Sequence, residues 1–177
     1  MTGVQTCALP ISQVGAIAHL FRLVSIRENG EIAALAVASM AAASVVGRLT
    51  GGWLLLKLPT RAFTLGMFAV QVLALAVLAL APSRAMLLAG ALLFGASVGN
   101  VLMLQPLLLV EAFGIRDYGR IYSLSQLLTA IGVAGGPALV GLIDEAAGGY
   151  TIPYLVVAGS SLVGLLLLAL AVRSRPG

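Results

Sequence analysis

Charge is scarce in this sequence. Of 177 residues, ten are Lys or Arg and six are Asp or Glu, 9% in all, where a soluble domain carries about a quarter. An ordinary water-soluble globule is excluded. Cysteine and histidine each occur once, as Cys7 and His19. No disulfide can therefore close within the chain, and the three or four Cys and His ligands of a structural zinc site cannot be assembled. The chain has no H-E-x-x-H and no paired metal carboxylates, and none of its Asp or Glu residues falls inside an apolar run. No enzyme, no cofactor and no metal is expected. A sensor anchored by these helices would need a soluble domain attached to them, and no such stretch is found.

What is abundant is apolar: 60% of the residues, with a mean hydropathy of +1.10. A helix needs about 20 apolar residues to cross the roughly 30 Å hydrocarbon layer. Five runs of that length are read, about Ile32 to Leu56, Ala62 to Ala81, Ala85 to Val110, Ile121 to Ile143 and Ile152 to Val172, with a shorter one over residues 14 to 26. The breaks between them are short and carry charge, Pro or Gly. The fold class is thus an all-α membrane protein whose main partner is the lipid bilayer.

The stretch MTGVQTCALPIS ahead of the first run has neither the positive charge nor the apolar core of a secretory signal. Its back-translation resembles a common sequencing-adapter oligonucleotide. The expectation is that Met1 to Ile11 are foreign to the gene, that residues 12–177 are its own product, and that the first helix is truncated. Cys7 and Pro10 then carry no chemistry.

Short connections make neighbouring helices antiparallel, so the breaks alternate between the two faces of the membrane. One set carries Lys57, Arg61, Arg116, Arg120, Arg173 and Arg175; the other carries Arg27 and Arg84 with Glu28, Glu31, Asp144 and Glu145. Basic residues mark the cytoplasmic side, so the C-terminus is expected there. Six of the ten bases behind a pI of 9.8 are accounted for in this way, and nucleic acid is not an expected partner.

Glycine recurs at helical spacing, in Gly47-x-x-x-Gly51, in Gly95-x-x-x-Gly99 and in the run from Gly132 through Gly136 and Pro137 to Gly141. Small residues four apart let helices approach closely in lipid. With these glycines go VVGRLTGGWLLLKLPTR, LFGASVGNVLMLQPLLLVEAFGIRDYGRIYSL and GVAGGPALVGLIDEAAGGYTIPY. In that order and spacing they resemble the C-terminal half of the major facilitator superfamily. The resemblance implies a six-helix bundle, helices seven to twelve of a twelve-helix transporter, whose N-terminal six-helix half is the missing partner. It also implies a multi-pass protein of the cell membrane, a bacterial inner membrane here, with a small-molecule substrate. The superfamily's loop motif has an Asp after such a G-G-W-L. Leu55-Leu56-Lys57 stands there instead, which implies a weaker gating contact. The ninth-like and twelfth-like spans, with Thr64, Gln71, Ser160 and Ser161 as their polar residues, are expected to face lipid.

Arg48 is the leading substrate-binding candidate. It lies nine residues before Lys57, roughly 13 Å into the membrane, where a guanidinium needs water, carbonyls or an anion beside it. Its planar fork suits a carboxylate. In monocarboxylate porters and oxalate/formate-type exchangers, which the chain resembles here, an arginine at this point of the eighth helix binds the substrate carboxylate. Ser44 stands where the porters have an Asp, and Ser125 near the exchangers' Lys in the eleventh helix. The implied substrate is a small organic anion such as a monocarboxylate, moved by symport or antiport. A drug or neutral-solute exporter with a structural Arg48 is the alternative. His19 and Arg22, three apart on one helix face, are further candidates: His19 for substrate or a proton, or simply as a packed ring, and Arg22 for substrate or for snorkelling outward. Gln105 and Ser125 complete the candidate set.

Overall fold

The structure is a computed structural model that describes residues 3–173, so that Ser174 and Arg175 of the expected cytoplasmic terminus lie outside the described residues, as do Met1 and Thr2. Six helices make up the described chain: α1 (Gly3–Arg27), α2 (Gly30–Leu55), α3 (Thr60–Leu80), α4 (Arg84–Phe113), α5 (Tyr118–Ala147) and α6 (Thr151–Arg173). Five of them, α2 to α6, are long and apolar enough to cross a membrane. α1 is helical over 25 residues, but its apolar run is the shorter one, and its upstream turns bring in Gln5, Thr6 and Gln13 instead.

The helix ends follow from local chemistry. Asn29 opens α2, its side-chain oxygen accepting from the Ile32 amide at 2.9 Å. Ser83 does the same for α4. α5 closes on Gly148 in the left-handed conformation, with its amide donating to the Asp144 carbonyl at 2.9 Å. That conformation is open to glycine at no steric cost. α4 and α5 each run three or four residues past the apolar stretch. The charged residues there lie at the membrane edge, where a helix can continue in water. One of them, Glu111, is paired with Arg61 at the start of α3 at 3.2 Å.

The closest packing is α2 on α4 and α1 on α5; α3 joins α4 to α6, and α1 also touches α2 and α6. In lipid, helices gain little from burying apolar surface, and association rests on close van der Waals contact and interhelical hydrogen bonds. Both are present. A Cβ on Gly47 would stand 2.9 Å from the Ala96 carbonyl oxygen. One on Gly95 would strike the Met40 carbonyl, and one on Gly99 the Ser44 carbonyl. The two glycine pairs of α2 and α4 thus mesh at one crossing, Gly47, Gly95 and Gly99 against the other helix's backbone and Gly51 against the Asn100 side chain. The third motif serves the α1/α5 contact, where Gly15 lies against the Gly136 carbonyl. Around these contacts a core forms from Leu20, Leu23, Leu75, Phe94 and Tyr154, the last with its hydroxyl donating to the Ala16 carbonyl at 2.7 Å.

Two features add to the expected arrangement. α3 and α6 turn their polar residues inward. Gln71, Thr64 and Ser161 are fully buried, while the lipid side is taken by Leu73, Leu80, Leu166 and Leu170. The Gln71 amide donates to Ser12 Oγ at 3.3 Å and Ser161 Oγ at 3.2 Å, and its oxygen accepts from Gln13 at 3.0 Å. Hydrocarbon offers polar groups no partner, so these side chains turn inward and bond across helices. The second feature is Arg27, one of the two bases of the outer set. Its guanidinium donates to the carbonyls of Leu78 and Ala79 at 2.9 and 2.8 Å and to Thr151 Oγ1 at 3.0 Å. It caps the C-terminal turn of α3, where the helix dipole favours a cation, and ties α1, α3 and α6 together.

Candidate functional site

Distance along each helix sorts the candidate residues into two levels. Arg48 is seven residues from the Leu55 end of α2, Ser125 seven from the Tyr118 end of α5, and Gln105 eight from the Phe113 end of α4. At 1.5 Å per residue all three lie about 10–12 Å in from the same face of the bundle. His19, eight residues from the Arg27 end of α1, and Arg22 belong to the opposite half.

At the first level, Gln105 reaches Thr129 of α5 at 3.5 Å, and Thr129 donates to the Ser125 carbonyl at 2.9 Å. Ser125 is buried and its own hydroxyl is turned back on the Tyr122 carbonyl at 2.8 Å. Gln105 and Ser125 are thus joined through Thr129 across the otherwise sparse α4/α5 contact. Only the Gln105 side chain is half-exposed and able to meet a ligand, because the Ser125 oxygen is committed to its own helix.

Arg48 differs from both. It is exposed on α2, flanked by the exposed apolar side chains Val45 and Leu49. Among the described residues it has no hydrogen bond and no ion pair. Its neighbour Gly47 is buried against α4 and fixes the helix there, so the mount is rigid while the charged group is free. Ser44, one turn earlier, lies with its carbonyl and hydroxyl against Gly99.

Asn100 is not among the candidates read from the sequence. It is buried on α4 at the α2 crossing. Its amide donates to the Ala96 carbonyl at 2.9 Å, and its Oδ1 has no hydrogen-bond partner. That oxygen lies where a Cβ on Gly51 would be, so it faces a glycine Cα–H, a weak donor. The signal was present in the sequence as an amide one position after Gly99, within a glycine motif that must meet another helix.

On the opposite half, His19 sits between α5 and α6. Its Nδ1 is 3.0 Å from the Tyr150 hydroxyl and its Nε2 3.1 Å from the Pro137 carbonyl oxygen. Gly141, whose Cβ would come 3.8 Å from the ring, leaves it room. Both ring nitrogens are thus within hydrogen-bond distance of partners in the structure. Arg22 is exposed near Tyr150. Tyr150 itself is buried. Burial first, and then the neighbouring Asp144 carboxylate, push its hydroxyl above the usual tyrosine range, so it stays a proton donor.

Six helices in this order, with glycine-meshed crossings and polar groups held at two depths, form a helical bundle of the membrane-spanning kind. The sequence profile of the Major Facilitator Superfamily matches residues 11–177. The chain belongs to that family. Facilitators are transporters rather than enzymes, and this one is a multi-pass membrane protein that moves a small molecule across the bilayer by secondary transport. No curated protein matches the chain.

Proposed function

We propose that this facilitator carries a small organic anion, a monocarboxylate in the simplest case, and that Arg48 holds the substrate carboxylate. The observation that carries this reading is the unpartnered guanidinium on a membrane-spanning helix fixed by glycine packing. A charged side chain at that depth costs a few kcal/mol unless it meets water or an opposite charge, and no carboxylate lies against it among the described residues. Arginine's two parallel N–H groups fit a carboxylate in a way that an ammonium cannot. Gln105, at the same depth, offers an amide for a second polar atom of the substrate.

In this reading the chain is the C-terminal half of a twelve-helix transporter, and alternating access moves it against the other half. α2 and α5 present the broadest unpartnered faces, with Leu49, Trp53, Leu124, Leu127 and Ile131 exposed. The C-terminus is cytoplasmic. The Arg61–Glu111 pair joins the start of α3 to the end of α4, at the end of the bundle that also has Lys57, Arg116 and Arg120, whereas Arg27 at the other end is engaged by helix carbonyls. The membrane is the bacterial inner membrane, and residues 1–11 are foreign to the gene.

The test is anion binding by purified, monodisperse Arg48→Lys and Arg48→Gln variants of the transporter with both halves present. Hydrogen bonds to charged groups are worth about 1.5–3 kcal/mol, so Gln should weaken anion binding by roughly tenfold or more, with Lys intermediate and neutral ligands unaffected. An unchanged dissociation constant in Arg48→Gln, with lower stability in its place, would make Arg48 structural and favour a neutral-solute or drug exporter.

A further inference from the structure

Beside the Gln105–Thr129 contact, α5 carries a second hydrogen-bonding pair that the anion reading does not use. Gln126, eight residues from the Tyr118 start of α5, lies about 12 Å in, at the level of Arg48 and Gln105, and is exposed. Hydrocarbon holds no partner for an amide. This side of α5 therefore does not meet lipid, and the exposed Leu124, Leu127 and Ile131 lie farther round the helix. The Gln126 amide donates to the Tyr122 hydroxyl at 3.1 Å. The Tyr122 ring is stacked on that of Tyr118, with centroids 5.3 Å apart and planes at 17°. At about 100° per residue, Tyr118, Tyr122, Gln126 and Thr129 fall within about 80° of arc. They make one polar band along α5, which Gln105 of α4 joins through Thr129.

What the band has left to offer follows from its hydrogens. Tyr122 accepts from Gln126 and so keeps its own O–H to donate. Gln126 and Gln105 each spend one N–H, on Tyr122 and Thr129, and each keeps a second N–H and a carbonyl oxygen. Thr129 already accepts and donates. No partner for these remaining groups is found among the described residues. Each glutamine thus presents a donor beside an acceptor. A hydroxyl, which also donates and accepts, satisfies both at once, whereas a carboxylate leaves the amide oxygens unmet and an ammonium leaves the N–H groups unmet. Charge is missing as well. α5 has no charged residue between Arg120 and Asp144, and α4 none between Arg84 and Glu111, so a second carboxylate finds no cation on this band.

We propose that Gln105, Gln126 and Tyr122 form a hydroxyl-reading subsite, and that the substrate is a polyhydroxylated carboxylate instead of an aliphatic acid or a dicarboxylate. The carboxylate end rests on the reading of Arg48 given above; the hydroxyl end does not. The Tyr118 stack and the Gln126 bond hold Tyr122 in place before a substrate arrives, so little freedom is lost on binding. Discrimination follows, since a site built to hydrogen-bond a hydroxyl is left with unpaired polar groups by an analogue that lacks it.

The test sets glycerate and gluconate against propionate and hexanoate, the unhydroxylated acids of equal chain length, in binding isotherms of the purified transporter with both halves present. Wild type should bind the hydroxylated acids roughly tenfold tighter or more. Gln126→Leu should weaken them by roughly tenfold and Tyr122→Phe several-fold, with propionate and hexanoate unchanged in both. Gln126 is exposed, so its replacement removes no core packing, and Gln126→Leu carries the test if Tyr122→Phe does not fold. Wild type that binds the unhydroxylated acids as tightly, or none of the four, overturns the proposal, as does an equal loss for both kinds of acid in Gln126→Leu. Glycerol and sorbitol, which carry no charge, separate this reading from the one for Arg48: their binding should fall in Gln126→Leu and stay unchanged in Arg48→Gln, which weakens all four acids alike. Failure of that last effect sinks the carboxylate anchor alone, and failure of the hydroxyl preference sinks this subsite alone.

Discussion

Gly51 and Gly52 are adjacent on α2, yet alanine should act oppositely at the two. A Cβ on Gly52 meets nothing within 4 Å, so Gly52→Ala removes a flexible residue from a helix interior and should be neutral or stabilising by up to about 1 kcal/mol. A Cβ on Gly51 would overlap the Asn100 side-chain oxygen. Asn100 is held by its bond to the Ala96 carbonyl and is buried, so it cannot swing away freely. Overpacking of this kind costs about 1–3 kcal/mol. The obstruction at Gly51 is a side chain, however, and Asn100→Ala removes it. The double variant should recover most of the loss, giving a coupling energy of about 1–2 kcal/mol.

Gly47 supplies the control. Its Cβ would meet the Ala96 carbonyl oxygen at 2.9 Å and the Ala96 Cα at 3.0 Å, both backbone atoms and both nearer than Asn100 Nδ2 at 3.3 Å, so Asn100→Ala should give little relief to Gly47→Ala. The assay is the unfolding midpoint of the six variants, the four single ones and the two doubles with Asn100→Ala, purified in one detergent, with helical content confirming that each is folded. If Gly51→Ala and Gly52→Ala are indistinguishable, or if Asn100→Ala rescues Gly47→Ala as well as it rescues Gly51→Ala, the meshed α2/α4 crossing is wrong, and with it the rigid mount assigned to Arg48.

Three further outcomes are expected. Arg27→Ala removes three hydrogen bonds from a guanidinium that caps α3 and should cost about 2 kcal/mol, whereas Arg61→Ala removes an exposed pair with Glu111 and should change the unfolding midpoint little, by less than about 1 kcal/mol; equal effects would contradict the capping role. Gln71→Leu breaks three interhelical bonds worth about 0.6 kcal/mol each in a bilayer setting, so a loss of about 2 kcal/mol is expected, and an unchanged midpoint would mean that the buried cluster of α1, α3 and α6 contributes nothing to stability. A cysteine placed at Thr60 should react with an impermeant reagent only from the cytoplasmic side and one at Gly148 only from outside; reversed labelling would invert the orientation.

The helices were legible because a bilayer imposes one length and one composition on every span, and the breaks at Asn29, Pro59, Ser83, Gly114 and Gly148 interrupt five apolar runs at regular distances. Depth was legible for the same reason. Counting residues from a helix end is enough to put Arg48, Gln105 and Ser125 near one level. Direction around the helix axis was not legible, because apolar residues cover every side of these spans and no amphipathic stripe marks the inner face. For that reason neither the turn of the Ser125 hydroxyl onto the Tyr122 carbonyl nor the contacts of the His19 ring with Tyr150 and Pro137 could be read beforehand.

The polar residues of α3 and α6, found inside while leucines of the same helices face outward, show which signal substitutes for the missing stripe. In water a lone polar residue on an apolar helix marks the solvent side; in hydrocarbon it marks the opposite side, because the bilayer core holds no partner for an amide or hydroxyl. Gln71 stands nine residues before the Leu80 end of α3, and Ser161 ten residues after the Thr151 start of α6. Both are therefore about 14–15 Å below the same face. Two polar residues at one depth on helices that bond to each other point to a contact, and the structure has that contact at 3.2 Å. Applied to α2, the same rule separates Arg48 from Gln71: both are polar and deep, but the partner of Gln71 lies on helices of this chain, and no described residue partners Arg48. A deep polar group left unbonded by its own bundle is the one that needs a ligand, or another half, to complete it.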